Sequence, residues 1–353
     1  MLTTRPPIPR PVPIWPFVAA ALAPVPLLGL GTVFGGAWLL AGLVYVTLLA
    51  VILDHAIAGR TDAATEAESA GRANGLSIVL ALSHFGLLPL AVIAVSGASG
   101  LGGAERAAAF LGFGLYFGQV SVANAHELIH RTDRRLFGLG KWVFISLLYG
   151  HVTSSHRLLH HPHVATPRDP NFPPLGISFY RYLPRSMMRN FIEGYRIEQA
   201  RAARSGRASP YIAYIAGGLA FLIAAAVGLG GPGLAAYLGL CLYAQMQHAM
   251  VDYLQHYGLS RRRLPDGSHE PQAAYHSWNS PHWFTSLMTV NVTRHSDHHA
   301  HPGRVYPALR LTPDMPMLPY SLPVMGAIAL IPPIWFKIMD KRVARVMGRA
   351  HGM

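Results

Sequence analysis

The chain has 353 residues, of which 13% are Asp, Glu, Lys or Arg and 51% are hydrophobic. This charged fraction is about half the usual share, so the composition excludes a disordered chain and differs from that of ordinary soluble globules. The formal net charge of +13 is compatible with nucleic-acid binding only if the basic residues cluster on a soluble face, and the apolar pattern argues against that.

Six apolar stretches, each close to the length of about 20 residues that crosses a bilayer as a helix, follow one another along the chain. They are residues 14–30, 33–53, 76–95, 107–125, 211–229 and 234–251. We predict an all-α integral membrane protein with six transmembrane helices, forming a single membrane domain over residues 1–353. Residues 126–210 and 252–317 are then cytoplasmic segments, and residues 318–353 form an interfacial C-terminal segment.

The distribution of Lys and Arg predicts the orientation. With both termini placed in the cytoplasm, every Lys and Arg except Arg106 falls on the cytoplasmic side, as the positive-inside rule requires. The basic composition therefore indicates membrane topology and contact with membrane lipid, and we expect no nucleic-acid partner.

The cysteine content limits the redox chemistry of the chain. Cys241 is the single cysteine and lies in the sixth apolar stretch. No disulfide framework, thiolate metal site, iron–sulfur cluster or CxxC pair can be built from one cysteine. Any thiolate redox centre that serves this chain must belong to another protein.

Nine of the 19 histidines form four groups at the predicted cytoplasmic side of the membrane. The groups are His126 and His130; His156, His160 and His161; His256; and His295, His298 and His299. Because residues four apart share a helix face, His126 is expected beside His130, and His156 beside His160. In the group formed by His295, His298 and His299 the same rule places His295 beside His299.

This concentration of imidazoles predicts a metal site. Neutral imidazole binds iron, zinc, copper or nickel, and one mononuclear site uses only three or four ligands, so nine indicate two metals. The spacing alone does not identify the metal. Seven further histidines, His55, His84, His248, His269, His282, His301 and His351, lack such spacing and are predicted not to be ligands. His151, His163 and His276 lie beside the clusters and are left open.

Two short motifs offer other interpretations. His126-Glu127-Leu128-Ile129-His130 matches the HExxH pattern of zinc proteases, but such a protease needs one more ligand rather than seven. Residues 228–233 formally spell GxGxxG, but they connect two apolar stretches and follow no strand. They are therefore predicted to form a turn rather than a dinucleotide site.

The histidine clusters resemble a known family. His126-Glu127-Leu128-Ile129-His130-Arg131, His156-Arg157-Leu158-Leu159-His160-His161 and Arg294-His295-Ser296-Asp297-His298-His299-Ala300 look like the three histidine boxes of the integral-membrane alkane 1-monooxygenases, which include xylene monooxygenase hydroxylase-type subunits. Residues 253–258 resemble the family's additional single-histidine motif, and residues 164–170 and 276–280 resemble its connecting segments. The resemblance covers residues 124–310.

The resemblance implies a six-span protein with a cytoplasmic di-iron centre that uses O2 to hydroxylate the terminal methyl group of an apolar hydrocarbon. It implies two electrons from an external rubredoxin-type carrier with its NAD(P)H-dependent reductase, and a location in a bacterial inner membrane. Carried over by position, the ligands are His126, His130, His156, His160, His161, His256, His295, His298 and His299.

Several positions depart from the family pattern. Ser155 and Leu159 stand where Glu and Gly are usual, Asp252 and Gln255 where Asn and Glu are usual, and Val292 and Thr293 where Leu and Gln are usual. None of these changes removes a presumed ligand. They leave the branch of the family and its substrate open.

Further expectations concern the surroundings of the metal. Asp297 and Asp252 are the carboxylates we expect to orient ligand imidazoles. A hydrocarbon route from the bilayer is expected between the fourth and sixth spans, lined by Gly112, Gly114, Leu115, Phe117, Gly118, Leu240, Tyr243 and Ala244. The basic cytoplasmic face either steers an acidic electron carrier or simply reflects topology.

Two other functions stay open at this point. A membrane fatty-acyl desaturase uses a similar histidine-rich site but forms an alkene instead of an alcohol. A metal transporter also needs intramembrane histidines, but its ligands are expected near the bilayer midplane on broken helices.

Overall fold

A computed structural model of the chain describes residues 13–57 and 66–352, and in these ranges helices are joined by turns and irregular loops. The α-helices are α1 Trp15–Leu22, α2 Pro24–Phe34, α3 Gly36–Val44, α4 Ala50–Ala56, α5 Glu66–Ser96, α6 Gly103–Leu115, α7 Val122–Leu128, α8 Arg134–Ser146, α9 Val152–Ser155, α10 His161–His163, α11 Phe179–Ser205, α12 Tyr211–His256, α13 Trp283–Met288, α14 His295–Ala300, α15 Leu322–Ala329 and α16 Pro332–His351. Three π-helical segments, Tyr45–Leu49, Tyr116–Ser121 and His156–His160, join neighbouring α-helices, and Ala274–His276 and Tyr306–Ala308 are 3-10 turns. Within the described ranges the extended pairings are two isolated bridges, so the all-α prediction is confirmed.

Four helices in the described residues are long and apolar enough to cross a membrane. They are Trp15–Phe34, Gly36–Ala56, Ala70–Ser96 and the 46-residue Tyr211–His256. The fifth and sixth predicted spans both lie in α12, which is broken at Gly230 (φ 60°, ψ −155°). The fourth predicted span lies on the helical run from Gly103 to Leu128, which is not one of the four. An integral membrane protein is therefore supported, while the count of six spans and the side of the membrane stay predictions.

The first two membrane helices form a hairpin that turns at Gly35 rather than near Gly31, where the sequence predicted the connection. Gly35 has φ 59°, a conformation that glycine adopts without steric conflict. The Glu105 carboxylate accepts hydrogen bonds from the backbone N–H of Gly36 at 2.7 Å and of Gly102 at 3.0 Å. One carboxylate thus fastens the hairpin turn to the start of α6.

Glycines bring the helices that carry the first histidine group and His256 into close contact. A Cβ on Gly114 would lie 2.2 Å from the Tyr243 ring, and a Cβ on Gly118 would lie 2.5 Å from Gln247. Both contacts pack the run from α6 to α7 against α12. Small residues favour such close approach between membrane helices. This packing fixes where α7 and α12 end.

The C-terminal helices cover the last turns of α12. Trp335 of α16 is buried against the rings of Tyr253 and Tyr257, with centroid distances of 5.2 and 5.1 Å. The Tyr257 hydroxyl donates to Asp340 Oδ1 at 2.7 Å. The segment after residue 318 is therefore part of the core that supports His256, and its predicted interfacial position stays a prediction.

Candidate metal centre

The structure gathers all nine presumed ligands into two groups of imidazoles. In each group the ligand-capable nitrogens all lie within 4.8 Å of one another. The first group contains His126, His130, His156, His161 and His298, and the second contains His160, His256, His295 and His299. None of the ten other histidines belongs to either group, and the prediction that seven of them are not ligands stays a prediction.

The first histidine box lies at the end of α7, where His126 and His130 belong to the same group as their spacing predicted. Glu127, which stands between them, is buried and turns away from the imidazoles. Its Oε1 accepts hydrogen bonds from the Arg131 guanidinium and, at 2.9 Å, from the backbone N–H of Tyr306. This carboxylate joins the first box to a distant turn, which disfavours the role of general base that the HExxH interpretation requires.

The second box departs from α-helical geometry. His156–His160 is a π-helix, in which the hydrogen bonds close five residues apart, so the residue at i+5 lies above residue i. His156 Nε2 lies 2.9 Å from His161 Nε2 in the first group, whereas His160 Nε2 lies 3.2 Å from His299 Nε2 in the second. His156 and His160 do lie beside each other, with ring centroids 5.0 Å apart, but they belong to different groups because the π-helix brings His161 to His156.

The third box also contributes to both groups. His295 and His299 belong to the second group, as their spacing predicted, while His298 belongs to the first. The Asn279 side chain holds this box in place, since its Oδ1 accepts from the Ser296 backbone N–H at 2.9 Å and its Nδ2 donates to the Ser296 hydroxyl at 2.7 Å. The segment 276–280 thereby anchors α14.

The distances between ring nitrogens fit a bound cation. In the second group, Nε2 atoms are separated by 3.2 Å for His160 and His299, 3.0 Å for His299 and His295, and 2.9 Å for His295 and His256. Ligands at the usual metal–nitrogen distance of ~2.1 Å lie about 3.0–3.4 Å apart around one ion. A row of four close nitrogens cannot be satisfied by shared protons alone, because a neutral imidazole carries a single N–H.

The first group has the same character. His156 Nε2 lies 2.7 Å from His126 Nε2 and 2.9 Å from His161 Nε2. The Nε2 atoms of His130 and His298 are buried and make no hydrogen bond to any described residue. Converging lone pairs of this kind are costly unless a cation accepts them. Both groups are thus suited to holding a metal ion.

Burial keeps these rings neutral. It lowers the pKa of His160 to about 3, because the charged form is poorly solvated. Burial, and then repulsion by neighbouring imidazoles, lowers the pKa values of His295, His298 and His299 well below their usual 6.5. A neutral ring offers the lone pair that a metal requires. At physiological pH the donor set is therefore ready for an ion.

Asp169 is the carboxylate that orients a presumed ligand. It is fully buried, and His160 Nδ1 donates to its Oδ1 at 3.0 Å and its Oδ2 at 2.9 Å. The Asn171 backbone N–H also donates to Oδ1 at 2.8 Å. This contact sets the tautomer of His160 so that Nε2 faces the second group. Asp169 lies in the segment 164–170, whose resemblance to a connecting segment was the one signal that pointed to it.

The two carboxylates expected in this role lie elsewhere. Asp297 accepts from Arg304 at 2.6 Å, from His301 Nδ1 at 3.1 Å and from the Arg310 backbone N–H at 2.9 Å, so it fixes the loop after the third box. Asp252 lies nearest to His248, whose Nδ1 is 3.7 Å from Oδ2. Neither makes a described hydrogen bond with a presumed ligand imidazole.

A cavity of about 520 Å³ leads from the membrane helices to both groups. Its wall is largely apolar, including Val46, Leu115, Met250 and Leu322, and it reaches His126 of the first group and His295 of the second. This size is typical of ligand-binding cavities. The cavity joins an apolar region of the bundle to the imidazoles.

The expected route is only partly correct. Leu115 and Gly118 line the cavity, whereas Gly112, Gly114, Phe117, Leu240, Tyr243 and Ala244 do not. The Tyr243 ring fills the space beside Gly114. Phe117, Leu240 and Ala244 are buried in the core. These residues face neighbouring helices, so they serve packing rather than passage.

Comparison with known proteins places these features in context. The family model described as fatty acid desaturase matches residues 106–328. The chain is 34% identical over 238 residues to alkane 1-monooxygenase 1 of Pseudomonas aeruginosa, covering 66% of the chain and 62% of that relative. It is 35% identical over 257 residues to alkane 1-monooxygenase 1 of Alcanivorax borkumensis, covering 69% of the chain and 61% of the relative. It is 29% identical over 237 residues to the xylene/toluene monooxygenase hydroxylase component of Pseudomonas putida, covering 62% of the chain and 58% of that component. The matches thus span about three fifths of each relative.

Proposed function

Because the chain belongs to the fatty acid desaturase family, we propose that it is a membrane di-iron monooxygenase that converts the terminal methyl group of an alkane to a primary alcohol. Similarity to alkane 1-monooxygenases over about two thirds of the chain supports this activity rather than desaturation. The substrate class extends to other apolar methyl compounds, in view of the similarity to the xylene/toluene enzyme component.

The observation that carries the proposal is the pair of all-imidazole groups at the end of an apolar cavity. An unactivated C–H bond offers nothing that an acid or a base can use, so its oxidation requires a cofactor. Two bound iron ions, one held by each group, would supply the reductive activation of O2. The protein's part is to bind, orient and enclose the reactants.

The described residues perform these tasks in separate places. The buried neutral rings present their lone pairs, and Asp169 keeps His160 in one tautomer and orientation. The apolar cavity wall excludes water and directs one end of a hydrocarbon chain toward His126 and His295. Dispersion and burial of apolar surface are the available means of binding an alkane, which has no polar group.

The electrons must come from a partner. Hydroxylation inserts one oxygen atom of O2 and reduces the other to water, which consumes two electrons and two protons. Cys241, the single cysteine, is buried within α12 and cannot form a redox centre by itself. We therefore include in the proposal a rubredoxin-type carrier, its NAD(P)H-dependent reductase and a cytoplasmic site on the inner membrane. Exposed Arg134 and Arg135, close to the first box, are suited to steering an acidic carrier.

The first experiment measures metal and product together. The purified full-length protein, loaded with iron and supplied with a competent electron donor and O2, is expected to contain two irons per chain and to convert octane to octanol. An alkene as the product would instead support a desaturase. One zinc per chain without O2 consumption would overturn the proposal and reopen the protease and transporter interpretations.

A matched pair of variants tests the ligand assignment. His298→Ala should lower the iron content, because His298 belongs to the first group. His301 lies three residues further along, and its ring contacts Asp297 instead of either group. His301→Ala should therefore leave the iron content unchanged. Equal iron in both variants would refute the assignment, provided that both insert into the membrane.

A further inference from the structure

Two hydrogen-bond acceptors on the cavity wall have no donor. Asp252 and Gln255 both line the cavity, and as residues they are 5% and 1% exposed. The Asp252 carboxylate accepts no hydrogen bond from the described part of the chain, since the His248 ring nitrogen is 3.7 Å away and is shared with the Tyr149 hydroxyl at 3.4 Å. Gln255 Oε1 is likewise buried without a described partner.

The orientation of Gln255 is defined by its own amide. Its Nε2 donates to the backbone oxygen of Val292 at 2.9 Å, which fixes Oε1 as the atom left without a donor. Two acceptors within one turn of α12 thus belong to the cavity wall. A purely hydrocarbon ligand offers neither of them a donor and would leave them unpaired, which is unfavourable for buried polar groups.

We infer that Asp252 and Gln255 form a hydroxyl-recognition point in the cavity, which binds the O–H group of a primary alcohol. The alcohol hydroxyl donates one hydrogen bond to either acceptor, and its alkyl chain occupies the apolar remainder of the cavity. A site built to pair with a hydroxyl discriminates strongly against the analogue that lacks it. The ligand class is therefore an unbranched apolar chain that ends in a hydrogen-bond donor.

The position of Asp252 and Gln255 in the cavity indicates which hydroxyl group they bind. Asp252 lies one helical turn before His256, and the same cavity reaches His126 and His295, so the acceptors stand beside the end at which hydroxylation is proposed to occur. If hydroxylation occurs at this end, as the proposed function holds, the alcohol bound at Asp252 and Gln255 is the product of the reaction. The substrate has no donor at this point, whereas its product has one.

The test compares the binding of three ligands with the same number of heavy atoms: octanol, heptyl methyl ether and nonane. The iron-loaded full-length protein is kept anaerobic and unreduced, so no turnover occurs, and binding is corrected for partition into the bilayer or detergent. Octanol is expected to bind about tenfold to a hundredfold more tightly than the ether, because only the alcohol carries a hydrogen-bond donor for the otherwise unpaired buried acceptors.

Variants assign the preference to these residues. Asp252→Leu should abolish the advantage of octanol over the ether, and Asp252→Asn, which keeps the size and one acceptor oxygen, should reduce it. Thr289→Val is the control, since Thr289 lines the same cavity but its hydroxyl already donates to the Thr285 backbone oxygen at 2.7 Å. Iron content and thermal unfolding are measured for each variant to show that it is folded.

Three results would overturn the inference. Equal binding of octanol and ether would mean that the acceptors are satisfied by water or that the carboxyl group itself donates. An octanol preference that survives in Asp252→Leu would place the alcohol oxygen on a metal instead. Loss of the preference in Thr289→Val would locate it elsewhere in the cavity. None of these depends on hydroxylation, so a failure of the proposed function would be recognised separately by its own assay.

Discussion

Replacing Asp169 should loosen one metal of the proposed pair while leaving the other in place. Asp169 contacts His160, which belongs to the second group, and makes no described contact with a member of the first. Asp169→Leu removes both acceptor oxygens, so the buried Nδ1–H of His160 loses its partner and its ring is free to rotate. The expected weakening of metal binding by the second group follows from the loss of the hydrogen bond between His160 and Asp169.

The magnitude can be worked out from that bond. A hydrogen bond to a charged group contributes about 1.5–3 kcal/mol, which corresponds to a roughly 10- to 150-fold change in metal affinity. Carboxylates that orient metal-bound histidines are in general worth about 10- to 100-fold in affinity. Asp169→Asn, which keeps one acceptor oxygen, should fall between wild type and Asp169→Leu.

The assay is iron content after equilibration against a graded series of chelator concentrations. Wild type should lose two ions over one range, whereas Asp169→Leu should lose its first ion at about 10- to 100-fold lower chelator strength. Asp297→Asn is the control, because Asp297 lies next to His298 in sequence but pairs with Arg304. If Asp169→Leu lost both ions together, or neither, the division of the histidines between two separate ions would be refuted.

Three further predictions concern packing, pH and the cavity. Gly140→Ala should destabilise the protein by about 1–3 kcal/mol and weaken iron binding, because the new Cβ would lie 2.8 Å from the Ala125 backbone oxygen of α7. Gly138→Ala is the control: a Cβ there has open space, so the temperature of thermal unfolding should not change. In the metal-free protein, the lowered pKa of His160 means that the unfolded chain takes up the proton first. Stability should therefore fall as the pH drops below about 6.5 toward 3, and thermal unfolding of a His160→Asn variant should depend less on pH. Gly326→Leu should fold normally and lower kcat/KM for long alkanes more than for octane, because its side chain extends into the cavity, where a Cβ meets nothing nearer than 3.8 Å.

Composition and spacing were sufficient to predict the helical membrane fold and to select the histidines that come together. Apolar length is a strong signal because a bilayer-spanning helix must satisfy its own backbone and bury few charges. The six-span count differs from the four long apolar helices of the described residues, in part because α12 carries two predicted spans and is broken only at Gly230. Nothing in the apolar pattern shows how such a break is oriented in a membrane.

The division of the histidines between two groups was not predictable in the same way. A periodicity of 3.6 placed His156 beside His160, and their rings are neighbours, but a π-helix in the second box puts His161 rather than His160 in the group of His156. Whether five residues form an α-turn or a π-turn depends on the packing around them, which a single sequence does not reveal. The first and third boxes follow the α-helical rule, and their pairings were predicted correctly.

Polar partners and cavity walls were harder still to predict. Asp297 was chosen because it lies among ligand histidines, yet Arg304 and His301 occupy its oxygens, while Asp169 reaches His160 from a turn nine residues further along. Likewise, the small residues of the fourth span were assigned to a substrate route although Gly114 receives the Tyr243 ring. Both errors have the same cause, since the rotation of a side chain about its helix depends on tertiary contacts.

Adjacent histidines on two separate segments straddle the two proposed ions. His160 and His161 belong to different groups, as do His298 and His299. Neighbouring Cα atoms across a trans peptide are 3.8 Å apart, so two single peptide units would link the two ions if each group held one. Membrane helices tilt and shift as bilayer thickness or temperature changes, but a covalent unit does not stretch. The distance between the two metal ions should therefore be the same in thin and thick membranes, even where the tilt of the surrounding helices differs.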